Sequence, residues 1–309
     1  MNEPLFMGID GGGSTLRIAI VNAKLDEFSS LKAGAVNPSV VGHSAARVRI
    51  QRSVGAALGE ASLRPERISA VGIGIAGASN LRNERWLLET LKPVLPTSRH
   101  APSSDLEIAL AGALASRHGI LLLAGTGSGA FAVKPGDIRL QVGGWGYLLG
   151  DEGGSYWIGR ELLRLAIGEY DLGWDANEDA LGRAFLDELG LAQARELLAW
   201  VYQSDAAPAV RIGGLAPFVL KRAEDGDEQA MRILRRAAEY LADQLQTLRR
   251  RLDYPEAPIA FAGGLLDNDN WLSREVSRRL ALAKRPVAKH PPVIGAAMLA
   301  KMEWSAAKK

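Results

Sequence analysis

The chain has 309 residues, 47% hydrophobic and 23% charged, which is enough apolar material for one large core or two ordinary ones. Its 37 basic and 35 acidic side chains leave a formal net charge of +2, a near balance that argues against a polyanion partner such as nucleic acid. There is no cysteine, so disulfides, thiolate zinc sites and cysteine-held iron–sulfur clusters are excluded.

In chain order, FMGID is an apolar strand ending at Asp10, GGGST is a tight turn, and LRIAIVN is a second strand running back. Residues 44–61 are alanine-rich and helical, VGIGIAG at 71–77 is another strand, and 80–92 read as a helix. Strands and helices therefore alternate as in an α/β layer. From Ile120, ILLLAGTGSGAFAV repeats the pattern of strand, small-residue turn and returning strand, so two lobes of one design are expected. Residues 153 to 252 are mostly helical. In the last of these helices Leu234, Ala238, Leu241, Leu245, Leu248 and Leu252 recur at spacings of four and three, an apolar stripe suited to core or lobe packing. Arg249, Arg250 and Arg251 end that helix, where cations favour the negative end of its dipole. IAFAGG at 259–264 is an apolar strand ending in paired glycines, and HPPVIGAAMLAKM is a turn with a final helix. No apolar run approaches the ~20 residues of a membrane span, and no basic segment leads a long apolar one. A cytoplasmic protein with no membrane partner is expected.

Two glycine turns carry the chemistry. Gly11, Gly12 and Gly13, with Ser14 and Thr15, follow Asp10 directly, and glycines let backbone N–H groups converge on a phosphate. Asp10 is placed to hold Mg²⁺ through water. A plain β-hairpin with a capping aspartate fits that segment as well. The second turn, Gly125 to Gly129, has the same placement and adds the hydroxyls of Thr126 and Ser128 around Gly127. Neither is a Walker loop, since no lysine follows, and neither opens a helix as a dinucleotide turn does. The four histidines have no HxxxH or HExxH spacing, which gives a histidine metal site or a Ser-His-Asp triad little support.

GIDGGGST, LAGTGSG and IAFAGG resemble, in order and spacing, the two phosphate motifs and the adenosine motif of the sugar kinase, Hsp70 and actin superfamily. More narrowly, VGGWGYLLGDEGGSYWIG at 142–159 resembles the N-acetylglucosamine kinases of the BadF/BadG/BcrA/BcrD family. The resemblance implies two actin-like, ribonuclease H-like α/β lobes with ATP and Mg²⁺ in the cleft between them. The lobes would span residues 1–116 and 117–292, with the final helix, about 293–309, packing back on the first. It implies phosphorylation of an amino sugar, N-acetylglucosamine at the 6-hydroxyl before glucosamine, with ATP held by both glycine turns and by Gly263 and Gly264. Asp105, in SSDLEIALAGAL, takes the place of the catalytic aspartate, although Ser-Ser-Asp suits a helix cap equally well. Asp151 of GDEG, with Gly144 and Trp145 of GGWG, falls at the sugar site, as does Asn37 of GAVNPSV. Asp151 and Glu152 also suit a helix start, and Trp145 also reads as a core aromatic, though its flanking glycines argue for a loop. A free ammonium on the sugar would want a further carboxylate, and after VGIGIAG the chain offers only Ser79 and Asn80.

Other members of that family activate acyl-CoA dehydratases and reductases through a cysteine-ligated cluster, which this chain cannot build. Zinc-bearing kinases of the related ROK group are disfavoured for the same reason. A sugar-sensing repressor would add a helix-turn-helix before the first glycine turn, where only nine residues precede Asp10. Related kinases often form homodimers, and no segment here marks such an interface.

Overall fold

The structure, a computed structural model, describes residues 3–12, 14–76, 81–173, 180–202 and 207–308, with the side chains of 81–83 left aside. β1 (Leu5–Gly11) and β2 (Thr15–Val21) are the antiparallel hairpin around the first glycine turn, and β3 (Glu27–Gly34) continues antiparallel to β2. The short α1 (Pro38–Val41) and α2 (His43–Glu60) lead to β4 (Ile68–Ile75), parallel to β1. α3 (Leu81–Leu91) leads to β5 (Arg99–Ser103), parallel to β4, and α4 (Asp105–Leu114) follows at once. The order β3-β2-β1-β4-β5 puts the most apolar strands in the middle, because both of their faces are covered. On one face Ile9, Ile18 and Ile73 pack with Ile50 and Val54 of α2; on the other Phe6, Ala19 and Ala70 meet the final helix.

The second sheet repeats the plan. β6 (Gly119–Ala124), β7 (Ser128–Lys134) and β8 (Ile138–Gly143) form a meander, and β9 (Ile259–Ala262) joins β6 in parallel, giving the order β8-β7-β6-β9. Between β8 and β9 run α5 (Ser155–Asp171), α6 (Leu181–Glu188), α7 (Leu197–Val201), α8 (Pro208–Gly213), α9 (Ala216–Glu224) and α10 (Glu228–Leu252). The expected stripe on α10 is buried in one core with Ile120, Leu122, Ala130 and Ala132 of the sheet. Asp227 caps α10 by accepting from the N–H groups of Gln229 and Ala230, and Arg249 to Arg251 fill its last turn. β8 had no apolar signature because it is an edge strand with residues largely open to solvent.

α11 (Trp271–Arg279) and α12 (Pro292–Ala306) close the chain. α12 crosses the first sheet and α4 at backbone contact: a Cβ on Gly8 would collide with the Val293 carbonyl, one on Gly72 with the Ala296 carbonyl, and one on Gly295 with the Ile108 carbonyl of α4. α4 is shared. Ile108 and Ala111 face α12, whereas Ala109, Leu110 and Ala113 pack with Leu121, Phe131 and Ala260 of the second sheet. Replacing Gly72 by Val forces α12 off the sheet and is expected to destabilise the protein by about 3 kcal/mol, the upper range for overpacking. Urea denaturation measures it, and a Gly34→Val control, at a position with open space around it, should change little.

Candidate active site

Asp10 pairs with Gly74, and Gly74 with Ser103, so the three form one row at the carboxyl ends of β1, β4 and β5. Open α/β sheets bind their ligands at this edge. Ser104 then caps α4, its Oγ accepting from the Glu107 N–H at 3.0 Å. Asp105 is thus the first helical residue and its neighbour occupies the N-cap position, while the Asp105 carboxylate faces the N–H groups of the first turn. Burial pushes the Asp105 carboxyl above the usual carboxylate range, against the pull of the N–H groups of Leu106 and of Asp105 itself. Burial also raises Asp10; Arg17, 3.5 Å away, pulls it down, and the nearby charge of Asp105 adds to the rise. The two carboxylates therefore share one partly desolvated corner.

The first glycine turn is strapped to the segment bearing Asn37. The Gly12 carbonyl accepts from the Val36 and Asn37 N–H groups, both at 3.2 Å, and the Gly12 N–H donates to the Thr15 carbonyl at 2.9 Å. Asn37 Oδ1 caps α1 by accepting from the Ser39 N–H at 2.9 Å, which leaves Nδ2 as its donor group. Gly11 is buried, where a Cβ would strike the Ile75 and Val36 side chains. Its small size serves packing. Ser14 is exposed at the turn beside Thr15, and Gly13 lies outside the described residues.

The second turn is welded to the start of α5. The Gly125 and Thr126 carbonyls accept from the Ser155 and Tyr156 N–H groups at 2.8 and 3.2 Å, satisfying helix donors that would otherwise lack partners. Ser128 is buried and its Oγ donates to the Glu152 carbonyl at 2.6 Å, while Gln244 Nε2 of α10 donates to the same hydroxyl at 3.3 Å. Its hydroxyl braces the loop, so of the two expected phosphate-facing hydroxyls only that of exposed Thr126 is left open. Gly127 rests on the Asp151 carboxylate so closely that a Cβ would overlap it. Asp151 is 9% exposed, in the left-handed region at φ 61°, and its Oδ1 accepts from the Gly146 N–H at 3.1 Å. Burial raises its carboxyl, with the Glu152 charge assisting. It does not cap α5, whose cap position is Gly154.

A cavity of about 160 Å³ is lined by Leu106, Gly127, Ser128, Gln141, Gly144 and Asp151, among others. It brings the first turn of α4 against the second glycine turn and the GGWG–GDEG segment. Trp145 is not a core aromatic: it is 74% exposed, beside exposed Leu148 and Leu149. Gly263, at φ 91°, leans on the Ala124 carbonyl, and the Leu265 N–H donates to the same oxygen at 3.1 Å; Gly264 has open space where a side chain would be. The third motif therefore sits beside the second turn, presenting bare backbone. Leu106, Gln141 and Gln244 are site residues that the sequence reading missed, the second because β8 was not legible. Among the described residues no cluster of three His, Asp or Glu side chains fits a metal ion. A larger apolar cavity of about 310 Å³, between α5 and α7, holds none of these groups.

Two meanders of the same topology, each presenting a glycine turn, define an actin-like α/β fold. The model of the BadF/BadG/BcrA/BcrD ATPase family matches residues 7–300, and the chain belongs to that family. It is 27% identical over 303 residues to an N-acetylmuramic acid/N-acetylglucosamine kinase of Clostridium acetobutylicum, covering 96% of this chain and 98% of the relative. It is 25% identical over 320 residues to an N-acetyl-D-glucosamine kinase of Dictyostelium discoideum, covering 97% and 98%. Among solved structures, a candidate N-acetylglucosamine kinase from Chromobacterium violaceum superposes with a TM-score of 0.71 at 27% identity, covering 96% of this chain and 99% of the other.

Alanine at Gly263 meets both left-handed strain and the Ala124 carbonyl, a cost of about 1–3 kcal/mol. Gly263→Ala should lower the melting temperature, and Gly264→Ala should leave it unchanged, as thermal unfolding would show.

Proposed function

We propose that this protein transfers the γ-phosphoryl group of ATP to an amino sugar, N-acetylglucosamine before glucosamine, at the 6-hydroxyl. The observation that carries the reading is Asp105: a partly buried carboxylate outside the N-cap position, raised by desolvation, whose neighbour Leu106 walls the cavity that Asp151 borders. The kinase names of the relatives support it. Asp105 would accept the proton of the attacking hydroxyl while orienting it in line with the phosphorus. Asp151, the Gly144 backbone and the Asn37 Nδ2 group would hold the other sugar hydroxyls, and Trp145 would cover the sugar as the lobes close and exclude water. The N–H groups around Gly12 and Gly127, with Ser14, Thr15 and Thr126, would cradle the triphosphate, and the adenine would lie on Gly263 and Gly264.

Asp10 fits a magnesium ion. It is a partly buried carboxylate with one long contact to Arg17 and the Asp105 charge nearby, and Mg²⁺ takes few carboxylates while keeping much of its water. Bound there, the ion would neutralise charge on the phosphates. The same reading divides the chain into lobes at 1–116 and 117–292, with 293–309 returning to the first, and places the enzyme in the cytoplasm.

A coupled ADP-release assay across N-acetylglucosamine, glucosamine, N-acetylmuramic acid, glucose and N-acetylmannosamine tests this. N-acetylglucosamine should stimulate most, and Asp105→Asn should lose at least ~100-fold in kcat, the usual scale for a general base. If no sugar stimulates ADP release, or Asp105→Asn keeps full activity, the mechanism fails.

The raised carboxyl of Asp105 has two further consequences. The base works only when ionised, so kcat/KM should fall as pH drops through a value above the usual carboxylate range, measured as a pH–rate profile. A folded-state pKa above the unfolded one also means that the ionised carboxylate opposes folding at neutral pH. Asp105→Asn should therefore melt no lower than wild type at pH 7 while being inactive, as differential scanning calorimetry would show.

A further inference from the structure

Glu107 stands at the third position of α4, two residues beyond Asp105, and is only 7% exposed. Ser104 and Glu107 have the spacing of a capping box, in which the glutamate would fold back onto the N-cap N–H. Half of that box is formed, the Ser104 Oγ accepting from the Glu107 N–H. The other half is not: the Glu107 carboxylate turns outward and accepts from the Arg139 guanidinium at 3.0 Å. Arg139 belongs to β8, opposite Val133. Two residues on, Gln141 lines the cavity shared with Asp151, and β8 ends at Gly143. The ion pair therefore joins the turn that carries Asp105 to the strand that feeds the acceptor loop.

Packing does only part of this job: Leu106 of the same turn rests on the second-sheet core with Phe131. Glu107 and Arg139 together line two cavities, one of about 370 Å³ with Glu84, Ser104 and Gln141, the other of about 170 Å³ with His100, Arg117 and Glu303. With that space on the Glu107 side of the turn, a directional charged hydrogen bond adds to the Leu106 contact in setting its position relative to β8. Farther along, α4 is clamped by Leu110 and Ala113, so loss of the tie would shift the first turn and leave the rest of the helix in place.

We propose that the Glu107–Arg139 pair is a positioning device that holds the Asp105 carboxylate at the right distance from the acceptor loop. The proposal rests on the kinase reading with Asp105 as base. Because misplacing a reacting group by about 1 Å costs up to about 100-fold, the pair should govern turnover more than binding.

The test measures kcat, both KM values and melting temperature for wild type, R139M, R139K, E107Q and R139M/E107L. R139M and E107Q should each lose at least ~10-fold in kcat with KM for sugar and ATP within about threefold of wild type. R139K should recover part of kcat, since lysine keeps the charge without the planar fork. R139M/E107L leaves no unpaired buried charge, so its melting temperature should exceed that of R139M, while its kcat should stay low because the tie is absent. If R139M and E107Q keep wild-type kcat, or the double variant regains it, the pair is structural only and the proposal is overturned while the kinase reading stands. If R139M does not fold, E107Q and the double variant decide alone. Wild type showing no sugar-stimulated ADP release would overturn the kinase reading itself and this proposal with it.

Discussion

The backbone crossing of α4 and α12 is the constraint on which the rest depends. Gly295 admits the Ile108 carbonyl, and Gly112 lies against the carbonyls of His290 and Pro291, while the His290 and Lys289 N–H groups donate to Gly112 and Ala113. Main chain meets main chain there, so the crossing leaves no space for slippage. It locates α4 on the first sheet through Gly8 and Gly72 and, by its opposite face, on the second. Every group named in the site is referred to that helix: Asp105 opens it, Asp10 lies a strand pair away, and Leu106 walls the cavity that Asp151 borders.

The two glycine turns, alike in sequence, are held differently. The first is a hairpin end fastened from outside by the segment before Asn37, with Gly11 given over to packing. The second is built into the start of α5 and braced by Ser128, Glu152 and Gln244. A turn supported by a helix terminus keeps its geometry when one contact is lost, whereas a hairpin end depends on few hydrogen bonds.

Asp10, Asp105 and Asp151 are all raised chiefly by burial. Three partly desolvated carboxylates oppose folding and would be selected against if stability alone mattered. Carboxylates shifted by burial are a common mark of functional sites.

The sequence by itself determined the two-lobed α/β plan, because apolar strands, glycine turns and the α10 stripe are local patterns that a buried sheet or helix requires. It also put Asp10 and Asp105 at strand ends and Asp151 before a helix, while the resemblance to the kinase family, rather than periodicity, singled out Asp105 and Asp151 as site residues. It did not show β8, whose exposed edge position demands no apolar run, and so Gln141 and the Arg139 tie were hidden. Only the tertiary structure decided which residue caps α4, that Ser128 faces inward, that Gly11 serves packing, and that Trp145 is exposed. Each of those outcomes depends on what the neighbouring element presents, such as the Glu152 carbonyl to Ser128 or the Ile75 side chain to Gly11. Partners separated by tens of residues leave no periodicity in the chain, and their meeting is set by how the lobes pack on α4.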